Sequence, residues 1–353
     1  MDDATAQLLR WAPFVLGWLA GWAMLWRLRP LPRGGPHRPM SVIVPARDEE
    51  RSLPDLLDRL TPQLGSGDEL IVVDDHSTDA TAVIAVEAGA TVVRAGEPPP
   101  GWLGKPNACH HGVAAATTER LVFLDADVRP GPQLLDGLAA AVERTPGALV
   151  SVQPWHEPGS SAEHLSMLCN VTALMGCARF SVFGERVEPR VAFGPVLAVA
   201  RDTYERAGGH AHPTVRGAHT EDIALARTIG VVELFGDRRS ASFRMYPGGL
   251  RDLVDGWTRS IATGAASAPR WAALLTAGWV WSLAAAPLLG LVAYVASALQ
   301  CLVLSRRAGR FSPVLSLAYP IALLVFLYVV LRSGWRFARK RDVAWKGRRV
   351  PAR

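Results

Sequence analysis

Cysteine is scarce and scattered. Cys109, Cys169, Cys177 and Cys301 form no C-x-x-C pair, so neither a disulfide framework nor a cysteine-based zinc site is expected. The thiols read as small apolar residues of a reducing compartment. No G-x-G-x-x-G and no Walker-type glycine loop occurs, which removes the two commonest glycine-rich phosphate cradles. Internal repeats are missing too. Charge is absent in whole blocks: residues 11–26, 271–304 and 311–331 contain no Asp, Glu, Lys or Arg. Uncharged runs of that length are the mark of membrane segments.

The first block, "WAPFVLGWLAGWAMLW", rises about 24 Å as a helix, slightly short of the roughly 30 Å bilayer core. Leu8, Leu9 and Leu28 extend it if Arg10 and Arg27 snorkel. It lacks a basic start and a clear A-x-A site, so it reads as an anchor and not a removed signal peptide. A helix lying flat in the interface is the alternative. Pro287 stands midway in 271–304, which is therefore one kinked helix or a tight hairpin. Basic segments follow the first span ("RLRPLPRGGPHRP") and the last ("RSGWRFARKRDVAWKGRRVPAR"). Placing both in the cytoplasm requires an even number of spans after residue 260. The expectation is three spans in all, with the N-terminus outside and residues 30–265 and the tail inside. The formal net charge of +6 comes largely from these flanks. It suits anionic lipid headgroups and not nucleic acid.

Between the membrane blocks, short apolar runs alternate with helical patterns. Strands are expected at 40–46, 69–75, 91–95, 120–127 and 148–154. Ser52 is placed to cap the helix after the first strand, Thr78 or Asp79 the helix after the second, and Pro106 suits the first turn of a helix over 106–116. Such alternation implies an α/β fold with parallel pairing and right-handed crossovers. Ligands then bind beyond the carboxyl ends of the strands. Asp74, Asp75, Asp125, Asp127 and the "PARDEE" turn all follow strand ends, so these acids converge on one crevice.

Two carboxylates at i and i+2 after a strand can approach one hard cation, Mg²⁺ or Mn²⁺, which is commonly shared with substrate phosphates. Alone, such a pair is equally a cap or a turn. The ordered set "VIVPARDEE", "VVDDHSTDAT", "GWLGKPNA", "LVFLDADV" and "HTEDIALA" (42–226) resembles the inverting family-2 glycosyltransferases. That family has the GT-A fold, a doubly wound, mostly parallel nucleotide-binding sheet. The later "RMYPGG" and "GWTRSIATGA" are similar to a membrane-bound branch that glycosylates carotenoid-type or other polyisoprenoid-derived lipids.

The resemblance implies roles for particular residues. Pro45, Ala46, Arg47 and Glu49 match the turn that holds nucleobase and ribose. Arg47 stands where the family usually has an aromatic, and its guanidinium plane would stack instead. Asp75 matches the acid that bonds the base or ribose, whereas Asp74 and Asp79 read as structural. Lys105 and Asn107 match a loop that closes on the nucleotide; a solvated lysine is the bland alternative for Lys105. Asp125 meets ribose or metal, and Asp127 ligates the metal. Asp222, beside Glu221, is the candidate base that deprotonates the acceptor. An acid there is also favoured by the dipole of the helix it opens. A divalent Mg²⁺ or Mn²⁺ is expected, since the acids would otherwise repel a pyrophosphate.

The family's frequent Q-x-x-R-W is replaced by "DGWTRS". Arg259 then contacts the pyrophosphate and Trp257 the acceptor, or both lie on an amphipathic stretch at the membrane surface. His210, His212 and His219 cluster in one loop and are either solvated or a metal ligand. The apolar stretch 161–184 is a core helix or the lining of an acceptor path. The implied layout is an N-terminal anchor (1–30), a GT-A domain (40–265), a transmembrane region of about two helices (266–335) and a basic tail (336–353). The expected function is transfer of one sugar from a UDP- or GDP-sugar to a lipid, at the cytoplasmic face of the plasma membrane by a multi-pass protein. The alternatives are a processive polysaccharide synthase, which needs a conduit, and a non-catalytic transporter or scaffold, which predicts ionisable residues inside the spans.

Overall fold

The computed structural model of the chain describes residues 3–33, 38–338, 343–345 and 348–350. Along the chain run α1 (Asp3–Met24), β1 (Ser41–Ala46), α2 (Leu53–Leu60), β2 (Glu69–Asp74), α3 (Thr81–Glu87), β3 (Thr91–Arg94), α4 (Gly104–Ala115), β4 (Arg120–Leu124), β5 (Val128–Pro130), α5 (Leu134–Arg144), β6 (Leu149–Val152) and β7 (Trp155–His156). Then come α6 (Met167–Gly176), β8 (Val196–Ala200), α7 (Arg201–Arg206), α8 (Pro213–Arg216), α9 (Glu221–Ile229), β9 (Val232–Phe235), β10 (Ala241–Phe243) and α10 (Leu250–Ser267). Finally there are α11 (Arg270–Leu289), α12 (Leu291–Ala308), α13 (Pro313–Leu317), α14 (Tyr319–Ala338), β11 (Val343–Trp345) and β12 (Arg348–Val350). Two compact units result. One joins Leu28–Trp155 with Glu188–Phe243. The other joins Met1–Arg27, His156–Val187 and Arg244–Arg353. Their limits do not follow the hydropathy boundaries at 40 and 265, because residues 156–187 and 244–265 pack with the terminal helices.

The first unit is built on a seven-stranded sheet of order β3-β2-β1-β4-β8-β6-β9. Val42, Ile43 and Val44 are wholly buried, as expected of a central strand covered on both faces. Helix α2 places Leu53, Leu56, Leu57 and Leu60 on one buried face. Burying each leucine contributes about 1.5–3 kcal/mol. The register aligns Ala46 with Asp74 across β1 and β2, and Ile43 with Phe123 across β1 and β4. All three strands therefore deliver their following residues to one edge. The sheet is not wholly parallel: β8 runs antiparallel to both β4 and β6. It follows a long excursion and not a crossover helix, so the handed-crossover rule does not govern it.

Local departures have local causes. Ser52 does not cap α2; its hydroxyl donates to the Glu49 carboxylate instead. Asp79 accepts from the Thr81 N–H at 3.0 Å, so it does tie down the start of α3. Helix α4 begins at Gly104, two residues before Pro106.

In the second unit α1 packs against α11. A Cβ on Gly17 would lie 2.4 Å from the Gly278 carbonyl oxygen, and one on Gly21 2.3 Å from the Trp279 ring. Glycine is required at both for close approach. Of the two options for 271–304, the chain adopts the hairpin. The reversal falls at Gly290, whose φ of 109° needs glycine, while Pro287 stays inside α11. Trp279 Nε1 donates to Gln300 Oε1 at 2.9 Å, and Gln300 Nε2 to the Trp18 carbonyl at 2.7 Å. The one side-chain amide within 271–304 is thus a bond between helices.

Arg10 donates to the Leu288 carbonyl near the Gly290 turn. Arg307, at the other end of α12, donates to the Leu25 and Trp26 carbonyls that end α1. After α12 the chain turns back: Ser316 lies 3.0 Å from Ser305, and Tyr319 donates to the Leu283 carbonyl at 3.0 Å. Helix α14 then ends beside α10, where Ser333 donates to the Thr258 carbonyl and Arg332 pairs with Asp255 at 2.6 Å. Among the described residues three helices are long and apolar enough to cross a membrane, Arg270–Leu289, Leu291–Ala308 and Tyr319–Arg336. The expectation of about two C-terminal spans meets three candidates there; α1, the expected N-terminal anchor, is not among them.

Candidate active site

The crevice lies at the shared strand edge of the first unit. At the end of β1, Pro45 and Ala46 pair with β2, and the next turn is locked onto the turn after β2. Asp48, at φ 52°, accepts from the Thr78 N–H, while the Glu49 N–H donates to Thr81 and the Glu50 N–H to Asp79. Asp74 accepts from the Ser77 N–H at 2.9 Å. Asp74 and Asp79 are therefore structural, as their sequence context implied. Asp75 is different. Its carboxylate lies 3.7 Å from the Arg47 guanidinium and 3.2 Å from His76 Nδ1. Gly104 passes directly over it, since a Cβ there would sit 2.5 Å from Asp75 Oδ2.

Lys105 follows Gly104 and reaches inward. Its ammonium lies 2.7 Å from Asp125 Oδ1 and 2.8 Å from Glu221 Oε1. Burial pulls its proton affinity down, but those two carboxylates outweigh burial and hold it well above the ordinary lysine range. Asn107 is buried and donates to the Gly96 carbonyl at 2.8 Å, fixing the proline-rich loop to α4. Burial, then the charges of Glu221 and Glu49, raise the Asp125 carboxyl above its usual range despite Lys105.

Asp127 projects from the same bend. Desolvation within the crevice, reinforced by Asp125 and Glu49, lifts its carboxyl to about 7. Among the described residues no side-chain cation forms an ion pair with it. Asp222 stands in the first turn of α9; burial and the Glu221 charge lift it to about 7 as well. Glu49, Lys105, Asp125, Asp127, Glu221 and Asp222 thus form one electrostatically linked group beyond the strand ends, with Asp75 held nearby under Gly104 and Asn107 tied to Gly96. Trp257 and Arg259 belong to α10 in the other unit. Trp257 is buried there against Tyr246, with an unbonded indole N–H.

Sequence reasoning missed the segment Phe193–Pro195. The Asp125 N–H donates to the Pro195 carbonyl at 3.0 Å, and a Cβ on Gly194 would fall 3.1 Å from Asp222 Oδ2. This segment joins the i, i+2 acid pair to the acid of α9, and "GP" alone gave no hint of it. His210 is a core residue and not a ligand. It lies against Phe123 and Tyr204, within 2.8 Å of the Tyr204 hydroxyl, and burial pushes it down to about 4, leaving it neutral. All four cysteines are buried and free. The apolar stretch 161–184 holds one helix, α6, whose buried residues include Met167, Leu168, Val171 and Leu174.

The donor set fits a hard dication. Asp125 and Asp127 offer oxygen ligands, and a positive charge beside Asp127 would offset its crowded negative neighbours. Among the described residues no three His, Cys, Asp or Glu side chains group to hold a metal alone. That suits Mg²⁺ or Mn²⁺, which keep waters and complete their shell with substrate phosphates.

A model of the glycosyl transferase family 2 matches residues 41–170. The 4,4'-diaponeurosporenoate glycosyltransferase of Staphylococcus aureus (strain USA300) is 31% identical over 338 residues, covering 88% of each chain. The chain belongs to glycosyltransferase family 2. It is an enzyme that transfers a sugar, built on a GT-A-like α/β fold. A solved mannosyltransferase from Pyrobaculum calidifontis, in complex with GDP-Man and Mn²⁺, superposes with a TM-score of 0.56 at 17% identity, covering 94% of this chain and 97% of that one. That likeness speaks for the fold.

Proposed function

We propose that this glycosyltransferase moves a single sugar from a UDP- or GDP-sugar to a carotenoid-type or other polyisoprenoid-derived lipid, with inversion at the anomeric carbon. What supports the reading is the electrostatic linkage of Asp125 to Asp127 and Asp222 beside Lys105, in a chain 31% identical to a diaponeurosporenoate glycosyltransferase. The turn Pro45–Ala46–Arg47, with Glu49 and Asp75, holds nucleobase and ribose. Asp125 and Asp127 would hold Mg²⁺ or Mn²⁺. Such an ion, when bound, neutralises charge developing on the departing diphosphate. Asp222 accepts the proton of an acceptor hydroxyl approaching the anomeric carbon from the face opposite the leaving group; an acceptor carboxylate needs no base. Glu221 keeps Lys105 in place, and its charge beside Asp222 favours proton uptake there.

The membrane arrangement belongs to the same reading. Helices α11 and α12 cross the bilayer, and α1, not itself among the candidate spans, crosses packed against them through Gly17, Gly21 and the Gln300 bond to Trp18, with Arg10, Leu288 and Gly290 at the outer side. Although α14 is long and apolar enough to span, its first residue contacts Leu283, two turns short of that outer end, and its last turns meet α10. We read α13–α14 as a re-entrant pair that dips in and returns. This gives three crossings, with the N-terminus outside and the catalytic unit and tail cytoplasmic, the arrangement the basic flanks favour. Mass spectrometry of lipid extracts from cells with and without the gene tests the function. A lipid heavier by one hexose or amino-hexose supports it, and its absence argues against it.

A further inference from the structure

Lys105 is held between two carboxylates, and one of them, Asp125, is a ligand the metal needs. A dication and an ammonium cannot share Asp125 at close range without strong mutual repulsion. The backbone around Lys105 is fixed. The Leu103 N–H donates to the Arg216 carbonyl at 2.8 Å, Gly104 is wedged over Asp75, and Asn107 is tied to Gly96. The side chain is not so confined: about a quarter of it, 27%, is open to the crevice. Its four-carbon stem can carry the charge to a new partner without moving the helix.

We propose that Lys105 is a built-in counter-cation that occupies Asp125 in the empty enzyme and releases it only when a diphosphate arrives to accept the ammonium. Metal entry is thereby coupled to nucleotide entry. The inference rests on the nucleotide–metal reading of the crevice. It adds that Lys105 weakens metal binding when alone and strengthens it when nucleotide is present. By linkage the metal must strengthen nucleotide binding by the same factor. Glu221 acts as a positioning residue, the second anchor that keeps the ammonium over Asp125 in the empty state.

The test is Mn²⁺ binding to the detergent-solubilised full chain, followed by loss of the free-ion electron paramagnetic resonance signal, with and without UDP or GDP. Lys105→Met is the direct variant, but it leaves buried acids unbalanced and so endangers folding. Lys105→Met/Glu221→Gln removes one charge of each sign and keeps the local balance. Wild type is expected to bind Mn²⁺ at least tenfold more tightly with nucleotide than without. The double variant is expected to bind Mn²⁺ without nucleotide at least tenfold more tightly than wild type, about 1.4 kcal/mol, and to gain less from nucleotide than wild type does. If wild type shows the nucleotide effect but the double variant binds bare Mn²⁺ no more tightly, the counter-cation role is wrong and the site reading stands. If wild type takes up no Mn²⁺ with either nucleotide, the reading of the site fails and the inference goes with it.

Discussion

Gly104→Ala sets two physical effects against each other. Gly104 is the first residue of α4 and has no positive φ. Helix propensity alone therefore predicts stabilisation, up to about 1 kcal/mol and less at a helix end. The new methyl would stand 2.5 Å from Asp75 Oδ2, closer than any ordinary carbon–oxygen contact. Asp75 is only 5% exposed, and its N–H is bound to the Ala46 carbonyl at 2.8 Å. The carboxylate must rotate off Arg47 and His76, or the helix end must lift. Overpacking of this kind costs about 1–3 kcal/mol, which exceeds the propensity gain. Since Asp75 is read as the acid that meets the nucleoside, the Kd for UDP or GDP should rise by about five- to hundredfold. Calorimetric titration measures that directly, and thermal unfolding of the same sample should show no gain in Tm. A variant with unchanged Kd and a raised Tm would refute the reasoning, because propensity alone would then have decided the outcome.

Asp222→Asn should lower kcat for a hydroxyl acceptor by about 10²–10⁴-fold with little change in UDP or GDP affinity; normal turnover would remove Asp222 from the role of base. Asp127 is lifted to about 7, so below that pH it is mostly protonated and must lose a proton to ligate. Mn²⁺ affinity, measured with nucleotide present, should climb as pH rises towards 7 and level off above it, and a flat profile from pH 5 to 8 would contradict this. For the membrane arrangement, Leu291→Cys should react with an impermeant thiol reagent on intact cells, whereas Arg310→Cys and Trp335→Cys should react only after permeabilisation. External labelling of Trp335→Cys would make α14 a crossing helix.

The opening of the site was legible wherever chemistry is carried by neighbours in sequence. An apolar run ending in Asp125-Ala-Asp127 announces a buried strand that delivers acids to an edge, and the sheet register bears this out. Asp79 was legible as a local turn acid for the same reason. What could not be read depends on contacts between distant segments. Gly194 and Pro195 matter because they lie against Asp222 and Asp125, and no local pattern says so. Strand β8, "VLAVA", looks like any buried strand; its antiparallel direction is set by the excursion before it. Ser52 failed as a cap because the Glu49 carboxylate competes for its hydroxyl. The hairpin in 271–304 was foreseen as one of two options, but the turn went to Gly290 and not Pro287. A reversal there needs φ of 109°, which only glycine adopts readily, whereas proline is tolerated inside an apolar helix.

The most direct test of the whole account is sugar transfer by the purified full chain. UDP- and GDP-sugars labelled in the sugar would be offered with Mn²⁺ and a polyisoprenoid or carotenoid lipid fraction. The account predicts label in the organic phase with an inverted anomeric configuration, lost on chelation with EDTA and in Asp127→Ala. Label that never leaves the aqueous phase with any donor, or transfer that proceeds equally in EDTA and in Asp127→Ala, would contradict it.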